Sequence, residues 1–300
     1  MAERSTRRAV LAGACMAAFA GLAACGKKEE KAATPQAPAA PAGPPEGSLE
    51  WAVAGSWRSA ADKARDAWRH PVETLRFFGL QPKMTVVDFW PGSGWYIEIL
   101  APYLNKGGGT LYLAGFAEGP AAEPAQVAIN NALKARILAD KKLYGAVQFT
   151  AFGPTTGPVA PAGTVDLVLF MRYIHAWMAA GLAEKAFSDA YAALRPGGVL
   201  GIEQHRLQPD EDQDPAAANG YVQEAFVKQL AAEAGFVFVE ASEINANPAD
   251  TKDHPFGADT LAPIRLTAPM GQPANPEFDR TKYDAIGESD RMTLKFRKPE

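Results

Sequence analysis

Two short stretches concentrate the side chains that could do chemistry. Arg172, Tyr173, His175 and Trp177 follow the apolar run Val165-Asp166-Leu167-Val168-Leu169-Phe170, and Glu203, Gln204, His205 and Arg206 follow another, Val199-Leu200-Gly201-Ile202. Runs of this length and composition read as strands, and side chains leaving the carboxyl end of a strand face the ligand crevice of an open α/β sheet. An imidazole can take a proton from a nucleophile near neutral pH, and an aromatic box holds a methyl or onium group by cation–π attraction. The chain has only four histidines in 300 residues, which makes His175 and His205, with Tyr173 beside them, the candidate acid and base groups. The plainer alternative is that Tyr173 and Trp177 pack the next helix while His175 bonds the backbone. Glu203, His205, His175 and His254 could in principle ligate a divalent ion. No spacing such as His-Glu-x-x-His is present, and a metal-free site is expected.

A third stretch supplies a place for a ligand. Thr85 to Leu100 reads as a strand (Met84, Val86, Val87, Phe89), a tight turn (Gly92, Ser93, Gly94) and a helix with Ile97, Leu100 and Tyr103 at helical spacing. Glycines let a backbone approach a ligand closely, and free N–H groups open the following helix. An ordinary strand-to-helix turn is the competing reading of a two-glycine bend.

This run resembles motif I of class I S-adenosylmethionine-dependent methyltransferases, with Asp88 as its acid, Gly92 and Gly94 as its second and third glycines, and Trp90 at the place of the first. With "HPVETLRFFGLQP" before it and "APYL" after it, it looks like a narrower group of exported predicted methyltransferases in which a Trp-Pro-Gly turn is itself the pattern. Val165 to Phe170 is similar to motif IV of the same family, and the "LRPGG" of Leu194 to Gly198 to its characteristic turn before the next strand. The resemblance implies an α/β, doubly wound, Rossmann-like sheet of seven mostly parallel strands closed by a C-terminal antiparallel hairpin. It implies S-adenosylmethionine as cofactor, a small-molecule acceptor, and a cofactor site of Asp88, Trp90, Gly92, Ser93, Gly94, Trp95, Tyr96, Gly115 and Arg172. In that family an acid at the end of the second strand accepts the ribose hydroxyls; here the place falls near Gly115, and the nearest carboxylate, Glu118, comes three residues late. The loop after the third strand, Gly153-Pro154-Thr155, lacks the acid that often holds the adenine amino group.

The remaining elements follow from periodicity. Trp51 to His70 reads as one helix whose Arg58, Arg65, Arg69 and His70 either form a solvated face or line the cleft and favour an anionic group. Pro71 starts a second helix that Gly79 ends. Strands are expected at Thr110 to Ala114, Val147 to Phe152, Phe236 to Ile244 and Met292 to Arg297. Helices are expected between Glu123 and Leu143, from Gly181 to Leu194 and from Tyr221 to Ala234. Residues 245–289, rich in Pro, Asp and Gly, form an insertion too long for a routine connector, and we expect it to cover the substrate side.

The amino terminus has another purpose. Arg4, Arg7 and Arg8, the apolar Ala9 to Ala24 and Leu22-Ala23-Ala24-Cys25 resemble a lipoprotein signal, so residues 1–25 are expected to direct export and lipidation at Cys25, by either a twin-arginine or a Sec route. Residues 26–48, Lys/Glu and then Ala/Pro-rich, read as a tether, and residues 49–300 as the folded domain. The expected setting is the periplasmic side of a bacterial envelope, membrane-anchored. Removing residues 1–24 takes away three Arg and one Glu and leaves a formal charge of −6, which argues against nucleic acid as a partner. Because the methyl donor is made in the cytoplasm, a second reading stays open, in which the fold is kept as an inactive binding module for a small envelope ligand.

Overall fold

β1 (Thr85–Phe89) forms because a β-branched, apolar run has both faces covered: Val86, Val87 and Phe89 are fully buried, and the strand pairs in parallel on both sides. The other strands are β2 (Thr110–Phe116), β3 (Gln148–Phe152), β4 (Val165–Met171), β5 (Leu194–His205), β6 (Val237–Ser242) and β7 (Arg291–Arg297). They make a seven-stranded sheet in the order β3-β2-β1-β4-β5-β7-β6, with β7 antiparallel to both its neighbours and the rest parallel to β1. The strand order reverses between β1 and β4, which opens a crevice at their carboxyl ends. This computed structural model describes residues 43–120 and 122–300; the expected signal segment, Cys25 and most of the expected tether lie outside them.

Helices cover both faces. On one, Ile97–Gly107 buries Ile97, Ile99 and Leu100 with Val86, Leu113 and Leu167. On the other, Ala183–Ala193 buries Ala186, Phe187 and Ala190 with Val87, Phe89, Phe170 and Trp177. A Cβ on Gly201 of β5 would lie 2.6 Å from the Phe78 ring, and this absence of a side chain lets helix Pro71–Phe77 settle on the sheet. Among the described residues no helix is long and apolar enough to cross a membrane.

The expected helix over Trp51 to His70 is three: Leu49–Ala54, Ala60–Ala64 and Asp66–Arg69. The cause is local bonding that competes with the helix. The Gly55 N–H caps the first piece on the Ala52 carbonyl, the Trp57 indole N–H turns away to the Glu98 carbonyl (2.8 Å), and the Ser59 hydroxyl receives the Asp62 N–H (3.0 Å). His70, at φ +39°, then separates the third piece from Pro71. The helix expected between Glu123 and Leu143 likewise divides into Pro124–Ala139 and Lys141–Tyr144 at Asp140.

β6 and β7 pair antiparallel, with β7 inside the sheet against β5, and the long segment between Ser242 and Arg291 joins them in place of a short turn. Residues 245–289 travel with little regular structure, a 3-10 turn at Gly257–Thr260 and a helix at Thr281–Ile286. Buried polar side chains fix them. Asn245 donates to the hydroxyls of Thr74 (2.9 Å) and Thr293 (3.0 Å), and Asp250 receives the Tyr221 hydroxyl, the Asp290 N–H (2.7 Å) and a bond from His254 Nε2 (2.7 Å).

Candidate functional site

A cavity of about 300 Å³ opens where β1 and β4 end. Asp88, Trp90 to Ser93, Trp95 and Tyr96 form its floor, Met171 to Tyr173 one wall, Arg65 and Arg69 another, and Pro263 and Ile264 of the long insertion its rim. The three amino-terminal helices bring the arginines, and Arg172 arrives because its backbone adopts φ +68° directly after β4.

Asp88 is 2 % exposed, and its Oδ1 has no hydrogen-bond partner among the described residues. Burial, opposed by the Arg172 guanidinium, pushes its carboxyl up to about 8, so at neutral pH it is an acid able to donate a proton or accept a cation. Around it stands a cluster of guanidiniums on two buried carboxylates. Glu203 receives the Tyr96 hydroxyl (2.9 Å) and Arg172 (2.9 Å) and lies 3.0 Å from Arg291 Nε. Glu288 receives Arg65 Nε (2.9 Å), Arg69 Nε (2.9 Å) and the Arg291 guanidinium. Burial works against both carboxylates, yet the arginines outweigh it: Glu203 is held below the usual range and Glu288 at about 2. Arg69 is 2 % exposed and lies over Trp95, 4.7 Å from the ring centre; burial, together with Arg172, lowers it to about 9.

The glycine turn is built differently from the cofactor cradle expected of it. A Cβ on Gly92 would lie 2.7 Å from the Tyr173 hydroxyl, so that glycine makes room for a cavity side chain. A Cβ on Gly94 would meet Leu133 Cδ1 and Arg136 Nη2 at 2.5 Å, and one on Gly115 would meet Asn130 Oδ1 at 2.8 Å. Gly94 and Gly115 therefore make room for helix Pro124–Ala139; Gly94 does not line the first cavity, and Gly115 lines a second one. Asn130 also bonds both the N–H (3.1 Å) and the carbonyl (2.8 Å) of Phe116 at the end of β2.

Trp90 holds φ +46°, as a first glycine would, and its indole turns under the crevice. The ring lies 4.8 Å from Phe116, 5.6 Å from Tyr173 and 5.9 Å from Trp177, and its N–H donates to the Phe152 carbonyl (2.9 Å) at the end of β3. That strand end is where the resemblance would hold an adenine amino group. The residues present thus fit one half of an S-adenosylmethionine molecule. Unpartnered Asp88 and the guanidiniums suit an amino-acid ammonium and carboxylate, whereas the indole lies against the strand end where the resemblance would put the base. A second cavity, about 360 Å³, lies across Pro91 between Gly115, Glu118, Asn130, Thr150 and Thr156.

The histidines lie elsewhere. His175 and His205 do come together, ring centres 5.4 Å apart, but neither lines this cavity. His175 Nδ1 meets the Gln204 amide at 3.2 Å and His205 Nδ1 meets the Ser289 hydroxyl. Burial, with Arg172 adding, lowers His175 to about 4, and burial and His175 lower His205 as well, so both are neutral at pH 7. Tyr173 lines the cavity and burial raises its hydroxyl, which keeps it a donor. Trp177 is wholly buried against Phe89, Phe152 and Phe170 and belongs to the core. Arg58 is tied to Asp66 (2.7 Å) outside the cavity, while Arg65 and Arg69 line it. His254, engaged by Asp250, does not join the others, and no group of three metal-ligating side chains occurs among the described residues. Sequence reasoning missed Glu288, which lies 219 positions from Arg69 and carries no local pattern.

No family model matches this chain, and no curated protein matches it. Among solved structures it is similar to a candidate sarcosine dimethylglycine methyltransferase from Galdieria sulphuraria, with TM-score 0.52 and 15 % identity over 80 % of this chain and 88 % of that one. It is also similar to a SAM-dependent methyltransferase from Aquifex aeolicus, with TM-score 0.48 and 20 % identity over 61 % of this chain and 87 % of that one. The first likeness, with the strand order, shows a mostly parallel Rossmann-like methyltransferase fold with antiparallel pairing at its C-terminal end.

Proposed function

We propose that this chain is an S-adenosylmethionine-dependent methyltransferase acting on a small acceptor, exported and held to the membrane through lipid on Cys25. The observation that carries the reading is the unpartnered, buried Asp88 facing three guanidiniums directly above the glycine turn. Such a pair of opposite partners suits a zwitterionic amino-acid end, with its ammonium toward Asp88 and its carboxylate toward Arg172. When bound, the donor supplies an electrophilic methyl group on a sulfonium. The chain's own residues hold and orient: Tyr173 places its hydroxyl over Gly92, Tyr96 braces Glu203, and Trp95, Pro263 and Ile264 shield the cavity from water.

Trp90 favours a second reading, in which the scaffold binds a small zwitterion alone. Calorimetry of the full chain separates the two. Micromolar binding of S-adenosylhomocysteine supports the enzyme; a flat titration, with methionine still binding, leaves the binding module. Trp90→Gly should then restore nucleoside binding. Lipidation is tested by Cys25→Ser, which should release the protein from membranes into the soluble fraction.

A further inference from the structure

The guanidiniums around the first cavity outnumber their counter-charges. Arg65, Arg69, Arg172 and Arg291 share the two buried carboxylates Glu203 and Glu288. Arg58 is neutralised separately by Asp66. Asp62, itself at the surface, comes no closer than 3.9 Å to Arg65. Counting Asp62 still leaves one positive charge uncompensated, and leaving it out makes two. Glu288 and the Trp68 carbonyl take the two terminal nitrogens of Arg291, and its Nε lies 3.0 Å from Glu203. The three arginines that line the cavity are engaged only in part. Arg65 and Arg69 bond Glu288 through Nε, and Arg172 bonds Glu203 through one terminal nitrogen. Their other N–H groups have no protein acceptor within hydrogen-bond distance among the described residues. These donors face the open cavity, and an anionic ligand meets them with charge-assisted hydrogen bonds that water does not match.

A methyl donor does not supply what is missing. Its carboxylate and ammonium cancel, and its sulfonium adds a further positive charge, so the donor increases the excess that the protein already carries. Ionisation of Asp88 on meeting the ammonium offsets one charge and no more. From this balance we infer that the second small molecule of the site, the acceptor, is an acidic one, bearing a carboxylate or phosphate group that Arg65 and Arg69 hold. Arg65, a quarter exposed at the mouth beside the insertion, meets the anion first, and Arg69, buried against Trp95, fixes it. The inference rests on reading this cavity as the ligand site and deepens that reading by naming the acceptor's class.

Titration of the full chain with succinate, with glycerol phosphate and with the neutral diamide of succinate tests it, followed by thermal shift and calorimetry in the presence and absence of S-adenosylhomocysteine. One of the two anions should bind and raise the melting temperature while the diamide does neither, and the anion that binds identifies carboxylate or phosphate as the group. Arg69→Gln and, as a milder change at the mouth that leaves Arg69 and Arg291 on Glu288, Arg65→Gln should each weaken that binding by about tenfold or more. Arg195→Gln, an exposed arginine paired with Asp166 away from the cavity, should leave it unchanged. Equal binding of the diamide, binding by neither anion, or full affinity in Arg65→Gln overturns the inference. Anion binding without any S-adenosylhomocysteine binding upholds an acidic ligand and removes the methyltransferase reading instead, so the two can fail separately.

Discussion

Asp88 shows how one buried atom can couple ligand and stability. Its native carboxyl titrates at about 8 against 3.8 for an ordinary aspartate, so between those values the unfolded chain releases a proton that the native chain keeps. Stability therefore falls as pH rises from about 4 to 8 and levels off above. Asp88→Asn removes that penalty. It should be nearly neutral at pH 4 and stabilising by on the order of 2–4 kcal/mol at pH 8, read as a shift in denaturant midpoint, while weakening any ligand that presents an ammonium. A variant destabilised equally at both pH values would show the carboxyl to be ionised in the native state. The residue itself was legible in the sequence, because an acid ending a strand before a glycine turn is a recognisable pattern. Its protonation was not legible, since that depends on Arg172, 84 positions along the chain, and on complete burial. The same limit explains His175 and His205. Their spacing after two strands predicted a meeting, which occurs, but not that the meeting lies beside the cavity rather than in it.

Among the elements, the central strands β1 and β4 were readable because each is a short apolar run buried on both faces. The amino-terminal segment was not. Its charges suggest a solvated helix, but Trp57 and Arg58 bond inward and Ser59 caps a new start, which breaks it into three. The glycine turn was read for a ligand and proves to serve packing at Gly94. That residue holds φ +88° with Leu133 and Arg136 2.5 Å from any Cβ. Gly94→Ala should cost about 2 kcal/mol or more in chemical denaturation, from backbone strain and overpacking together. A loss below about 0.5 kcal/mol would mean that helix Pro124–Ala139 yields at little cost and that the turn is free to serve a ligand after all.

Across the whole molecule, the site depends on charges brought from opposite ends of the domain. Glu288 joins Arg65 and Arg69 of the first helices to Arg291 of β7, and the arginines hold it at about 2 despite its burial. A carboxylate whose native value lies below its unfolded 4.5 contributes stability that is fully present above about 4.5 and lost as pH falls through 2. Glu288→Gln should flatten acid unfolding in that window and cost about 3–5 kcal/mol at neutral pH by leaving buried guanidiniums without their partner. An unchanged acid profile would place the proton uptake on other groups. The opposite ends meet only because residues 245–289 are pinned by Asn245, Asn247 and Asp250 before β7 enters the sheet.

That route has a consequence for synthesis and for damage. A ribosome has made nearly all of the domain before the counter-charge for Arg65 and Arg69 emerges, so a nascent or truncated chain stopping short of residue 288 carries two unneutralised cations where its pocket should be. One protease cut among the exposed residues near Met270 would likewise loosen the strap that positions Pro263, Ile264 and Glu288, silencing the pocket while every strand stayed whole.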